Sequence, residues 1–292
     1  MRLGRTIAVG LGIVSALGAS SARVAAGTSE AIVFAPHRAI YEITLDRAGS
    51  GSGVVELAGR MVYELQGSHC EGYAQNMRFV TRMISQDGSE QVSDLRTSSW
   101  EDGQGTRLRF NSEQYKDSKL VEATAGDSKR RSAGGDIDVQ VTKPAKQKLT
   151  LPGRIYFPMQ HSHAMLTAAM AGRRQFSVGL YDGSEKGAKV YDTSAWIGGR
   201  ADKAPANAPP ALALVPSWQV SIGYFEPSAA GKDTLPSYEL SFRIFANGIS
   251  TDMRIDYGDF AVRGELTELS MLPVSECKPA PAEKSAPHPR PR

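Results

Sequence analysis

The sequence predicts a mainly β protein: a large antiparallel sheet rolled over one apolar face into an incomplete barrel, with one helix packed centrally against it or plugging its open end. Three observations predict this class. Apolar and polar residues alternate through most of the body, short Gly, Asp and Ser turns separate the alternating runs, and one segment alone switches to helical character. With 292 residues, 41% of them hydrophobic, the chain is long enough to bury a large core. Charged residues make up 22%, which excludes a disordered chain and a polytopic membrane protein.

Residues 1–26 read as a secretory signal. Arg2 and Arg5 precede an apolar run from Ile7 to Leu17 that is too short to cross ~30 Å of hydrocarbon. Val24 and Ala26 supply small residues for cleavage before Gly27, and no cysteine lies close enough to carry a lipid. The expectation is a soluble, unlipidated, exported protein that does not span a membrane.

The strands follow in order. In Ala39, Tyr41, Ile43 and Leu45 the apolar side chains face one way, with Glu42, Thr44 and Asp46 on the other face. Leu57, Met61, Tyr63 and Leu65 repeat the pattern, and Tyr73, Met77, Phe79 and Met83 repeat it again. Later come Trp218, Val220, Ile222 and Tyr224, then Tyr238, Leu240, Phe242 and Ile244. Asn247-Gly248 predicts a type I′ hairpin turn into a partner strand through Met253, Ile255 and Tyr257. About a dozen strands are expected in all.

The helix is predicted from Pro158 to Ala171, with Gly172 placed to end it in the left-handed conformation. Met159, Met165, Leu166, Ala169 and Met170 fall near one face and should pack against the sheet. Residues 198–210, GGRADKAPANAPP, read as a surface excursion without a candidate site. Residues 278–292 hold five prolines and read as a disordered basic tail.

The formal charge of +3 is a sum over unlike segments. The signal and the tail each carry +3, so residues 27–277 stand near −3. No basic stripe interleaved with aromatics runs through that body, which excludes nucleic acid as a partner. Cys70 and Cys277 are the two cysteines, and an even number in an exported chain points to a disulfide. It would tie an early strand to the end of the last and make residues 27–277 one cooperative unit. The alternatives, a redox-active pair or metal ligands, favour a close C-x-x-C spacing that this pair lacks.

Catalytic patterns are scarce. His161 and His163 form the most suggestive pair, yet at i and i+2 on a helix they point about 200° apart and cannot grip one zinc ion together. Gly49–Gly53, GSGSG, has glycine where a nucleophile elbow needs serine and reads as a hairpin tip. Ser275 and Lys278 have S-x-x-K spacing without the helix that this chemistry requires. The acids of Asp182-Gly183-Ser184-Glu185 and Asp256-Tyr257-Gly258-Asp259 suit turns better than calcium. No cofactor or metal is expected.

Several stretches together resemble the envelope integrity protein B (EipB) family. They are HRAIYEITLDRA at 37–48, GRMVYELQGSHCEGY at 59–73, FVTR at 79–82, FPMQHSHAMLTAAMAG at 157–172 and LYDGSEKG at 180–187. VSIGYFE at 220–226, PSYELSFRIFANGIS at 236–250 and DYGDFAVRGELTEL at 256–269 extend the likeness over nearly all of the mature chain. The resemblance implies a periplasmic β-spiral, a sheet curled around a helix and closed by a disulfide whose cysteines match Cys70 and Cys277. It implies a part in maintaining the cell envelope and a shape similar to the lipoprotein carriers LolA and LolB, with no catalytic residues to carry over. Met159 departs from the family, which typically has threonine after that proline.

The function expected from this reading is a non-enzymatic envelope protein, acting as a monomer. It would bind a lipid, a lipoprotein or a periplasmic protein partner on the concave face, near His161, His163, Tyr181, Trp218, Tyr224 and Phe242. The competing expectations are that these side chains merely form the core around the helix, or that His161 or His163 serves a cell-wall or lipid hydrolase.

Overall fold

A computed structural model describes residues 32–227, 235–275 and 277; the predicted signal and basic tail lie outside the described residues. β1 (His37–Ala48) occupies the middle of a single fifteen-stranded sheet. From it the chain winds outward, strand by neighbouring strand, through β2 (Val54–Ser68), β3 (Gly72–Ser85), β4 (Glu90–Glu101) and β5 (Arg107–Lys116). β6 (Lys119–Arg130), β7 (Ile137–Lys143) and β8 (Gln147–Leu151) complete that side. β9 (Ile155–Tyr156) then opens the opposite edge and α1 (Pro158–Met170) follows. The chain returns through β10 (Gln175–Leu180), β11 (Tyr191–Ala201), β12 (Ser217–Phe225), β13 (Tyr238–Phe245) and β14 (Ser250–Asp256). β15 (Phe260–Met271) pairs with β1 and joins the two halves. Neighbours are antiparallel except β9 and β10, which run parallel. Among the described residues the fold is mainly β and barrel-like with one α-helix, as the alternation predicted.

The register keeps one face apolar. Tyr41 lies beside Met61, Met61 beside Phe79 and Phe79 beside Leu95, so one row of side chains crosses four strands on the inside. The inside divides into separate clusters. Met159, Met165, Leu166 and Ala169 of α1 pack with Trp218, Val220, Ile222, Tyr224, Phe242 and Ile244. Leu108, Phe110, Ile137, Val139 and Leu151 pack with Ile155, Phe157 and Tyr181, which draws the two edges of the sheet together. The edge strands themselves are short, five residues in β8 and two in β9, which limits pairing with other chains.

Three expectations need correction. The sheet has fifteen strands, because strands such as β4 and β6 are polar on most positions and hide their period. The turn at Asn247 is not type I′. Asn247 keeps a negative φ while Gly248 alone is left-handed at +84°, and the Gly248 N–H donates to the Phe245 carbonyl at 2.8 Å. This is the three-residue loop in which a type I turn is followed by a left-handed glycine. Residues 198–210 are only partly an excursion, since β11 runs to Ala201. Leu212, just beyond, is fully buried with Phe245 and Ile249 and pins the segment to the sheet.

Candidate functional site

α1 begins without a side chain able to cap it, since Phe157 precedes Pro158. The cap comes from β4. Glu101 Oε2 accepts the Met159 N–H at 2.7 Å and Oε1 accepts the Gln160 N–H at 2.8 Å, which satisfies the free donors of the first turn. Burial pushes the Glu101 carboxyl up to about 8, against these two N–H donors and the Arg130 guanidinium, which favour the ionised form.

That shift fixes a sign. An unfolded Glu releases its proton near 4.5 and the folded one near 8, so between these values the native state holds a proton the unfolded state has lost. Stability therefore falls as pH rises through this window, by about 1.4 kcal/mol per unit at most. Glu101→Gln removes the slope. Urea midpoints of wild type and variant at pH 5 and pH 8.5 should show the wild type losing stability relative to the variant; parallel behaviour would contradict the shift.

Beside this cap lies a cavity of about 200 Å³, lined by Phe34, His69, Tyr73, Glu101, Gln160 and His163 among others. Met159 also lines it. The two helix histidines point apart, as their spacing requires. His163 is exposed at the cavity, whereas His161 is buried. The Thr193 hydroxyl donates to the Val178 carbonyl at 2.8 Å and its oxygen accepts from His161 Nε2 at 3.0 Å. Burial lowers the His161 imidazole to about 4, so it stays neutral at physiological pH. Among the described residues, Tyr73, Glu101, Asp102 and His69 line the cavity with His163, and no Ser, Thr or Cys does.

The other proposed ligand residues are core. Tyr181, Trp218, Tyr224 and Phe242 are all under 9% exposed, and all but Tyr181 pack in the cluster that α1 fills. They offer no open face; the helix occupies it. A different part of the inner face is less covered, and sequence reasoning missed it. Tyr41, Ile43, Leu57, Met61 and Val262 form a cluster containing no residue of α1, bordered by the partly buried Met77, Phe79, Met83, Met253, Ile255 and Phe260. A chain of rings joins this area to the helix cluster. Tyr224 stacks on Tyr238 at 4.3 Å, Tyr238 meets Tyr257 at 6.4 Å and Tyr257 meets Phe260 at 5.0 Å. The alternation in β3 already put Met77, Phe79 and Met83 on one face; what it lacked was how far α1 reaches.

Cys70, in the turn between β2 and β3, and Cys277, after β15, form a disulfide with Cα atoms 5.6 Å apart. Among the described residues no cluster of three or more His, Cys, Asp or Glu is placed to hold a metal ion, and no helix is long and apolar enough to cross a membrane.

The EipB-like family model matches residues 28–273. The chain belongs to the EipB-like family. A relative, the cell envelope integrity protein EipB of Brucella abortus (strain 2308), is 36% identical over 257 residues, covering 87% of this chain and 90% of its own. The crystal structure of a beta-barrel-like protein of a domain of unknown function, also from Brucella abortus, superposes with a TM-score of 0.77 at 36% identity. It covers 83% of this chain and 100% of its own. The neighbour's barrel-like form agrees with the sheet described above.

Proposed function

We propose that this family member supports the integrity of the cell envelope from the periplasm, without catalysis, by holding the acyl chain of a lipid or lipoprotein on its inner face. The observation that carries the reading is the partly covered apolar area of Met77, Phe79, Met83, Met253, Ile255 and Phe260, beyond the reach of α1. Methionine and aromatic side chains adapt to a flexible apolar guest, which suits a carrier of varied chains. The name of the Brucella relative supports the envelope role.

Displacement of a fluorescent fatty acid tests it. Wild-type protein should bind the probe, and Met77→Glu and Met83→Glu, each placing a charge in that area, should lose about tenfold or more in affinity at unchanged melting temperature. Absence of binding by wild type, or equal binding by both variants, would sink the carrier reading. The hydrolase reading rests on His163 in the cavity. His163→Ala should leave envelope function intact, and a defect in a stably folded His163→Ala protein would revive that reading.

A further inference from the structure

The outer face carries a feature that a lipid carrier does not use. One register row crosses five strands on that face: Trp196 of β11 lies beside Ser221 of β12, Ser221 beside Ser241 of β13, Ser241 beside Arg254 of β14, and Arg254 beside Arg263 of β15. Strands stand about 4.8 Å apart, so the row spans about 19 Å. Trp196 is 55% exposed, an indole on a platform of small and polar residues. Its outward neighbours Ser177 and Ser194 bond to each other at 3.1 Å, and Ser221 donates to Glu239 at 2.6 Å and meets Ser241 at 2.9 Å.

The row runs into a cleft. A groove of about 410 Å³ is lined by Gln219, Ser241, Arg254, Arg263, Asp252 and Glu265, with Asn207 from the segment following β11 as a wall. Across Gly198 the indole lies near Gln219, which lines the groove. A Cβ at Gly198 would lie 3.5 Å from the Trp196 ring and 3.4 Å from Gln219, so the ring edge rests where that glycine has no side chain. Asp46 compensates the two arginines, accepting from Arg254 at 2.8 Å and from Arg263 at 2.9 Å. With Asp252 and Glu265 beside them, carboxylates outnumber guanidinium groups in the lining.

We propose that this row and groove bind an extended, uncharged glycan chain, such as the amino-sugar strand of a cell-wall polymer. A sugar ring presents a face of C–H groups that stacks on an exposed indole, while its hydroxyls need paired donors and acceptors at the rim. Trp196 supplies the stacking surface. Ser221 and Ser241 supply hydroxyls that both donate and accept, and Gln219 and Asn207 supply amides with both functions. The arginines here are already paired with carboxylates, Arg254 and Arg263 with Asp46 and Arg243 with Asp252, which leaves little positive field for a polyanion and separates this ligand from a phosphorylated glycolipid or a nucleic acid.

The N-acetylglucosamine tetramer is the probe, titrated calorimetrically into the full mature chain at low and high salt. The expected result is saturable binding that salt leaves unchanged, weakened about tenfold or more by Trp196→Ala and retained by Trp196→Phe, with melting temperatures alike. Insoluble cell-wall polymer should pellet the wild type and leave Trp196→Ala in solution. No binding of the tetramer, equal binding by Trp196→Ala, or pelleting only with vesicles of phosphorylated glycolipid would each overturn the proposal. Loss of the fatty-acid probe by Met83→Glu reads out the inner face alone, so failure of one site is distinguishable from failure of the other.

Discussion

Arg130→Met is expected to lower the unfolding free energy by about 3 to 5 kcal/mol. Arg130 is 6% exposed and its guanidinium donates to five acceptors on separate pieces of chain. They are the carbonyls of Gly105 at 3.2 Å, Gly135 at 3.2 Å, Gly153 at 2.7 Å and Ile155 at 2.9 Å, and Gln160 Oε1 at 3.2 Å. Three of these acceptors lie on the β8–β9 connection, on β9 and on α1, so the side chain fastens the closing edge of the spiral to β6. Methionine keeps the packing over Phe157, whose ring the guanidinium faces at 5.6 Å, and leaves the acceptors without a donor. Arg130→Lys should recover less than half of the loss, because one ammonium cannot fork to acceptors spread over five segments. Urea unfolding measures both. A loss below about 1 kcal/mol for the methionine variant would show that water replaces the guanidinium at no cost.

The paired change Cys70→Ser and Cys277→Ser carries the other large effect. The bridge closes a loop of sequence separation 207, for which chain entropy gives about 5 kcal/mol as an upper estimate. For a domain of this size that corresponds to a fall of about 10 °C or more in melting temperature. A reductant should move wild type toward the variant and leave the variant where it is. A variant that melts with the wild type would mean that the entropy released in the unfolded chain is offset elsewhere.

Strand alternation and the methionine-rich segment were enough to read the fold class, the helix and its buried face, because each rests on a local period. The pattern was weaker where burial is set by distant partners. β4 reads as polar along most of its length, and the place of Glu101 at its end is explained only by the bare start of α1 fifty-eight positions further along. Nothing local marks Arg130, whose acceptors come from three turns, a strand and a helix. The histidines were separable by spacing alone, while Trp218, Tyr224 and Phe242 were assigned to the inner face without the knowledge that α1 covers it. Trp196 drew no notice because a lone outward tryptophan in an alternating strand becomes meaningful only once its row across the sheet is known.

The meeting of β1 with β15 in the middle of the sheet has a consequence for how the chain is made. A chain emerging from its N-terminus forms β2 to β8 against partners already present. One long side of β1, twelve residues of backbone donors and acceptors, stays bare until β15 arrives. A chain stopped short of Phe260 would present that side together with the free side of β14, two adhesive borders that invite other nascent chains. Any chain shorter than this carries both borders open, and only the last strand closes them against each other.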